Sequence, residues 1–153
     1  MRRFRAIVLG GVAAGVLDLI WALVISAIQA RPVVRVPQAI ASGLLGKAAF
    51  EGGASTAVVG VALHFLIALG ACAVYVGVGR WLPRLVRLPW VAGPLFGIAV
   101  YLFMSIVVVP LSAAPWRFKF TPSGIALALA AHTLCVGLPI ALITRRYASA
   151  RAR

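Results

Sequence analysis

Four uninterrupted apolar runs, residues 6–28, 54–78, 91–111 and 124–144, limit what this chain can fold into. Each is long enough for an α-helix to cross a hydrocarbon core, which takes about 20 residues. A backbone in lipid must satisfy its own N–H and C=O groups, so runs of this length read as helices. The expected fold is all-α: one polytopic transmembrane domain over residues 1–153, with four spanning helices. Composition excludes the other classes. Hydrophobic residues make up 63% of the chain and charged residues 11%, with a mean hydropathy of +1.08. A soluble domain carries about 25% charged residues, and a disordered chain is poor in apolar ones.

The start MRRFR, followed by an apolar run, also has the form of a signal peptide. The length of the run, Asp18 inside it, and Ile28-Gln29-Ala30 with no small residue at its first position argue for a retained helix.

The formal net charge is +13, from 15 Lys+Arg against Asp18 and Glu51. The basic residues flank the apolar runs, where they meet anionic lipid headgroups; nucleic acid is not an expected partner. Arg2, Arg3, Arg5, Arg80, Arg84, Arg87, Arg145, Arg146, Arg151 and Arg153 fall on one side of the four spans, and Arg31, Arg35, Lys47, Arg117 and Lys119 on the other. The richer side is expected to be cytoplasmic, so both termini are placed inside. Trp81, Trp90, Trp116 and Tyr147 sit near the ends of the runs, as an aromatic belt requires, and the loop AAPWRFKF reads as a headgroup anchor. The abundance of Arg, Ala, Gly and Val fits a GC-rich bacterium, and with it the inner membrane. Cys72 and Cys135 lie inside apolar runs and read as small buried side chains.

Residues 29–53 form the outer connection between the first two spans. An extended Arg31-Pro32…Pro37 stretch leads into QAIASGLLGKAAFEGG, read as a short interfacial or re-entrant helix over residues 38–51. Lys47 and Glu51 are one α-helical turn apart and are expected to pair.

Ionisable groups at membrane depth are costly, at least about 2.5–3.5 kcal/mol each on insertion scales, and so are candidate functional residues. Asp18, His64 and His132 fall at about the same depth, with Ser105 in the same layer. Helical spacing places each on a stripe of small residues: Gly11, Gly15 and Ala22 with Asp18; Ala57, Gly60, Ala68 and Ala71 with His64; Gly93, Gly97 and Tyr101 with Ser105; Ala128, Cys135 and Pro139 with His132. Small stripes let backbones approach. Gly11-xxx-Gly15 and Gly93-xxx-Gly97 share the cytoplasmic half, which implies contact between the first and third spans. Pro139 is expected to kink the fourth.

The foremost reading is a structural, interaction or accessory membrane subunit, in which Asp18 accepts hydrogen bonds from the imidazoles and locks the bundle. The alternative is a small transporter or a proton- or ion-conducting protein that uses Asp18, His64 and His132. Lesser alternatives are bis-His haem ligation by His64 and His132, or a divalent metal held by these and Asp18. No cofactor or metal is part of the favoured reading. No nucleophile elbow, HExxH, P-loop or paired carboxylate set is present, so an enzyme is not expected. Four narrow helices enclose little room, which points to a homo-oligomer or a membrane-protein partner.

The strings SGLLGKAAFEGG, LHF, YLFMSIVVVPLS and HTLCVGLPIAL resemble small four-helix inner-membrane proteins of proteobacteria that carry no assigned activity, and more distantly YagU-type membrane proteins. The resemblance implies a polytopic inner-membrane protein and transfers no catalytic residue.

Overall fold

Proline and capping chemistry decide where the helices of the computed structural model begin. The structure describes residues 1–116 and 121–149; Arg117, Lys119, Arg151 and Arg153, counted above for orientation, lie outside them, as does the second half of the AAPWRFKF loop. In chain order the helices are α1 (Arg2–Ile28), α2 (Arg35–Leu45), α3 (Gly53–Val78), α4 (Pro83–Arg87), α5 (Pro89–Leu111) and α6 (Pro122–Tyr147). Four of them, α1, α3, α5 and α6, are long and apolar enough to cross a membrane. Pro83, Pro89 and Pro122 each occupy a first helical position, where a missing N–H costs nothing. Thr121 caps α6 by accepting the Gly124 N–H at 3.2 Å.

Across the bundle the order is α3–α1–α6–α5. The first and last spans form the central pair, α3 packs on the flank of α1, α5 packs on the flank of α6, and α3 and α5 barely touch. Glycines set these approaches. A Cβ at Gly11 would stand 2.7 Å from Leu69, and one at Gly15 would stand 2.8 Å from Phe65, both residues of α3. At Gly93 it would stand 2.9 Å from Leu138, and at Gly97 it would fall on the His132 carbonyl, both in α6. The contact expected between the first and third spans is therefore corrected. The two glycine pairs share a depth but serve different neighbours, because depth does not fix rotation about a helix axis.

The tightest packing is at the centre. Ala6, Ala14, Cys72, Tyr75, Val76, Val136, Ile140 and Ala141 form the buried core of α1, α3 and α6. The Tyr75 hydroxyl donates to the Leu85 carbonyl at 2.8 Å and ties down α4. Large apolar side chains such as Leu66, Leu95, Phe103 and Ile106 point outwards and are exposed. Small residues inside and large apolar ones outside is the arrangement lipid favours.

The outer connection is built onto α3. Its helix α2 lies along the first two turns of α3, where a Cβ at Gly60 would fall on the Pro37 carbonyl. Gln38 donates to the Gly53 carbonyl at 3.1 Å, and the Arg35 guanidinium lies over the Phe50 ring, 5.4 Å from its centroid. Gly46, at φ +60°, ends α2, and Gly46–Phe50 continues as a 3-10 turn. That turn separates Lys47 from Glu51. With three residues per turn, positions four apart diverge by about 120°; both side chains are exposed, and no ion pair joins them.

Two π-helical segments interrupt the later spans, Met104–Val108 in α5 and Ala131–Gly137 in α6. Each ends shortly before a proline, Pro110 or Pro139. A proline ring removes the N–H that would close on the carbonyl four residues back and crowds that carbonyl. In α6 the expected disturbance at Pro139 takes this form, a widened turn that contains His132.

Candidate functional site

Ten residues separate Asp18 from the C-terminal end of α1, eleven separate His64 from the start of α3, and ten separate His132 from the start of α6. At 1.5 Å per residue all three lie roughly 15 Å along their helices. The structure brings them together on the wall of one cavity of about 380 Å³. Its walls are apolar elsewhere, with Ala14, Ala68, Ala71 and Val136 behind and Val100, Met104 and Val108 of α5 on one side. Helix α2 covers one end with Ala39, Ile40, Gly43 and Leu44. Because α3 and α5 do not close on each other, the cavity lies in the gap between them.

The imidazoles are held by backbone. His64 Nε2 lies 2.9 Å from the Gly15 carbonyl oxygen, across the α1–α3 contact that Gly15 permits. His132 Nδ1 lies 2.9 Å from the Ala128 carbonyl, one turn back in its own helix. A carbonyl only accepts, so each of these nitrogens carries the hydrogen. The other nitrogen of each neutral ring, Nδ1 of His64 and Nε2 of His132, is then a lone-pair acceptor. His132 also stacks edge to face with Tyr101, centroids 5.5 Å apart.

Asp18 differs from both. Among the described residues its carboxylate accepts no hydrogen bond and forms no ion pair, although it lines the same cavity. The expectation that it accepts from the histidines is corrected: their N–H groups are spent on Gly15 and Ala128, which are nearer within the packed backbone. Cys135 of α6 lies within electrostatic reach of Asp18. Ser105 does not join the group; it is buried in the π segment of α5 and donates to the Tyr101 carbonyl at 2.8 Å. Lys47 and Glu51 stand apart on the surface.

Among the described residues no three His, Cys, Asp or Glu side chains come close enough to hold a metal ion. The metal reading of Asp18 with the two imidazoles is accordingly set aside.

Sequence spacing does not reveal the outer rim. Trp116, read as an interface anchor, lines the cavity and donates its indole N–H to Ser42 Oγ at 3.0 Å. Ser42 in turn donates to the Ala39 carbonyl at 2.7 Å, and the Ala113 N–H reaches the Gly43 carbonyl at 3.0 Å. These bonds join α2 to the segment after α5 and fix the cover over the cavity. The small Ser42 and Gly43 that admit them are the only trace in the sequence. No family model, curated protein or solved structure matches this chain, so the site is read from its own geometry.

Proposed function

We propose that the chain is a small transport protein of the bacterial inner membrane, with both termini cytoplasmic, that passes protons or small cations by way of Asp18, His64 and His132. One observation carries this reading: a carboxylate with no internal partner opens into a cavity at mid-span beside two imidazoles. A carboxylate kept only to lock the bundle would be expected to bond to the groups around it. Imidazole is the side chain best suited to exchanging protons near neutral pH. Among the described residues the titratable groups on the cavity wall are Asp18 from α1, His64 from α3 and His132 from α6; α2 and α5 contribute apolar side chains. The inner-membrane placement rests on the charge bias and on the resemblance to proteobacterial four-helix proteins.

Purified protein in liposomes loaded with a pH-sensitive dye tests the reading. Under an imposed gradient the wild-type chain is expected to dissipate it, and Asp18→Asn to reduce the rate at least tenfold with little change in detergent melting temperature. Unchanged flux together with a lowered melting temperature would return Asp18 to a structural role.

The accessory-subunit reading keeps one specific footing, the apolar gap between α3 and α5. A second copy or another membrane protein seated there would complete the ring.

A further inference from the structure

The chemistry of the cavity wall narrows the solute. This inference deepens the transport reading and rests on it. We infer that the cavity binds a primary ammonium group carried on a compact apolar body.

The three ionisable groups on its wall all accept hydrogens. Asp18 is acceptor-only when ionised, and the backbone bonds of His64 and His132 leave each neutral ring with an accepting nitrogen. Among the described residues no Lys or Arg is on the wall to balance the carboxylate. A ligand that completes the set is therefore positively charged and carries several N–H donors. An R–NH₃⁺ group pairs its one charge with the carboxylate and keeps further donors for whichever lone-pair nitrogen of the wall it reaches.

The rest of the wall calls for an apolar body. Ile40, Leu63, Ile67, Val100, Met104 and Val108 surround the polar centre with hydrocarbon. At about 380 Å³ the space is ample for one ring and a short arm; a cavity of about 150 Å³ already takes benzene. The route of entry agrees. The cavity lies between α3 and α5, whose outward side chains such as Leu66 and Phe103 are apolar and exposed, so a lipophilic amine dissolved in the bilayer can meet it from the side.

Calorimetric titration of the purified protein in lipid nanodiscs decides the matter, with four probes of nearly one shape: benzylammonium, benzyl alcohol, benzoate and benzyltrimethylammonium. Benzylammonium is expected to bind at least tenfold more tightly than the other three. Asp18→Asn should remove that preference, and Ala39→Leu, which fills the cavity from α2 and leaves every charge in place, should weaken benzylammonium in the folded protein. If the alcohol, the benzoate or the quaternary ammonium binds as well as benzylammonium, the assignment is overturned. The four-probe comparison on the unaltered chain stands even if Asp18→Asn does not fold. Failure of benzylammonium to bind while Asp18-dependent proton flux persists would sink the amine and leave the transport reading intact. Tight amine binding with no flux of any kind would do the reverse.

Discussion

Glycine 60 shows how finely single residues set this structure. Its missing Cβ is the space the Pro37 carbonyl occupies, so α2 lies closely on α3 there. Gly60→Ala is expected to destabilise by about 1–3 kcal/mol, the usual cost of overpacking against something that cannot yield. Gly70, in the same helix, has open space where a methyl group would stand, with nothing within 4 Å. Gly70→Ala is expected to leave stability unchanged or raise it by a few tenths of a kcal/mol, since alanine is the better helix former. Thermal melts of the two variants in one detergent check the contrast. At this scale the sequence was informative about chemistry and silent about partners. Asp18, His64 and His132 stand out because ionisable residues are rare in lipid, and their common depth follows from counting residues. Their hydrogen bonds do not follow, because the acceptors are the Gly15 and Ala128 carbonyls and every residue has one. Ser105 illustrates the same limit, since a buried serine in a helix can satisfy itself one turn back.

Among the elements, the π segments matter most to the cavity. A π turn holds one residue more than an α turn, so straightening Ala131–Gly137 would rotate the helix on one side of it by about 100° relative to the other. The variant Pro139→Ala restores the missing donor and favours regular α-helix. It is expected to keep or raise the melting temperature while lowering flux severalfold, because His132 and the Ile140 core face can no longer both point inward. Melting and liposome flux measured on one preparation separate these effects, and a fall in both would mean that the proline serves packing alone. The four spans were legible as lengths of apolar sequence, whereas the widened turns were not: prolines at 110 and 139 announce a disturbance without saying whether it becomes a kink, a break or a bulge. The Lys47–Glu51 spacing failed for a related reason. Gly46 changes the helix type before the pair is reached, so counting by α-helical turns no longer applies.

For the molecule as a whole, the charge bias predicts that both termini face the cytoplasm. Single cysteines introduced beside Arg3 and Arg146, in a chain with Cys72 and Cys135 replaced by Ala, should stay unlabelled by an impermeant maleimide in intact cells and react after lysis. A cysteine at exposed Lys47 should label without lysis. The opposite pattern would invert the topology and place α2 inside. The lateral order α3–α1–α6–α5 also bears on how the protein is made. Its central pair joins the first span synthesised to the last. Until α6 leaves the ribosome and docks on α1, the wall that carries His132 does not exist, and Asp18 faces lipid on a half-finished chain. The polar residues of the finished cavity thus carry, in an incomplete chain, the cost that ionisable groups have in lipid, and the last span to be made is the one that removes it.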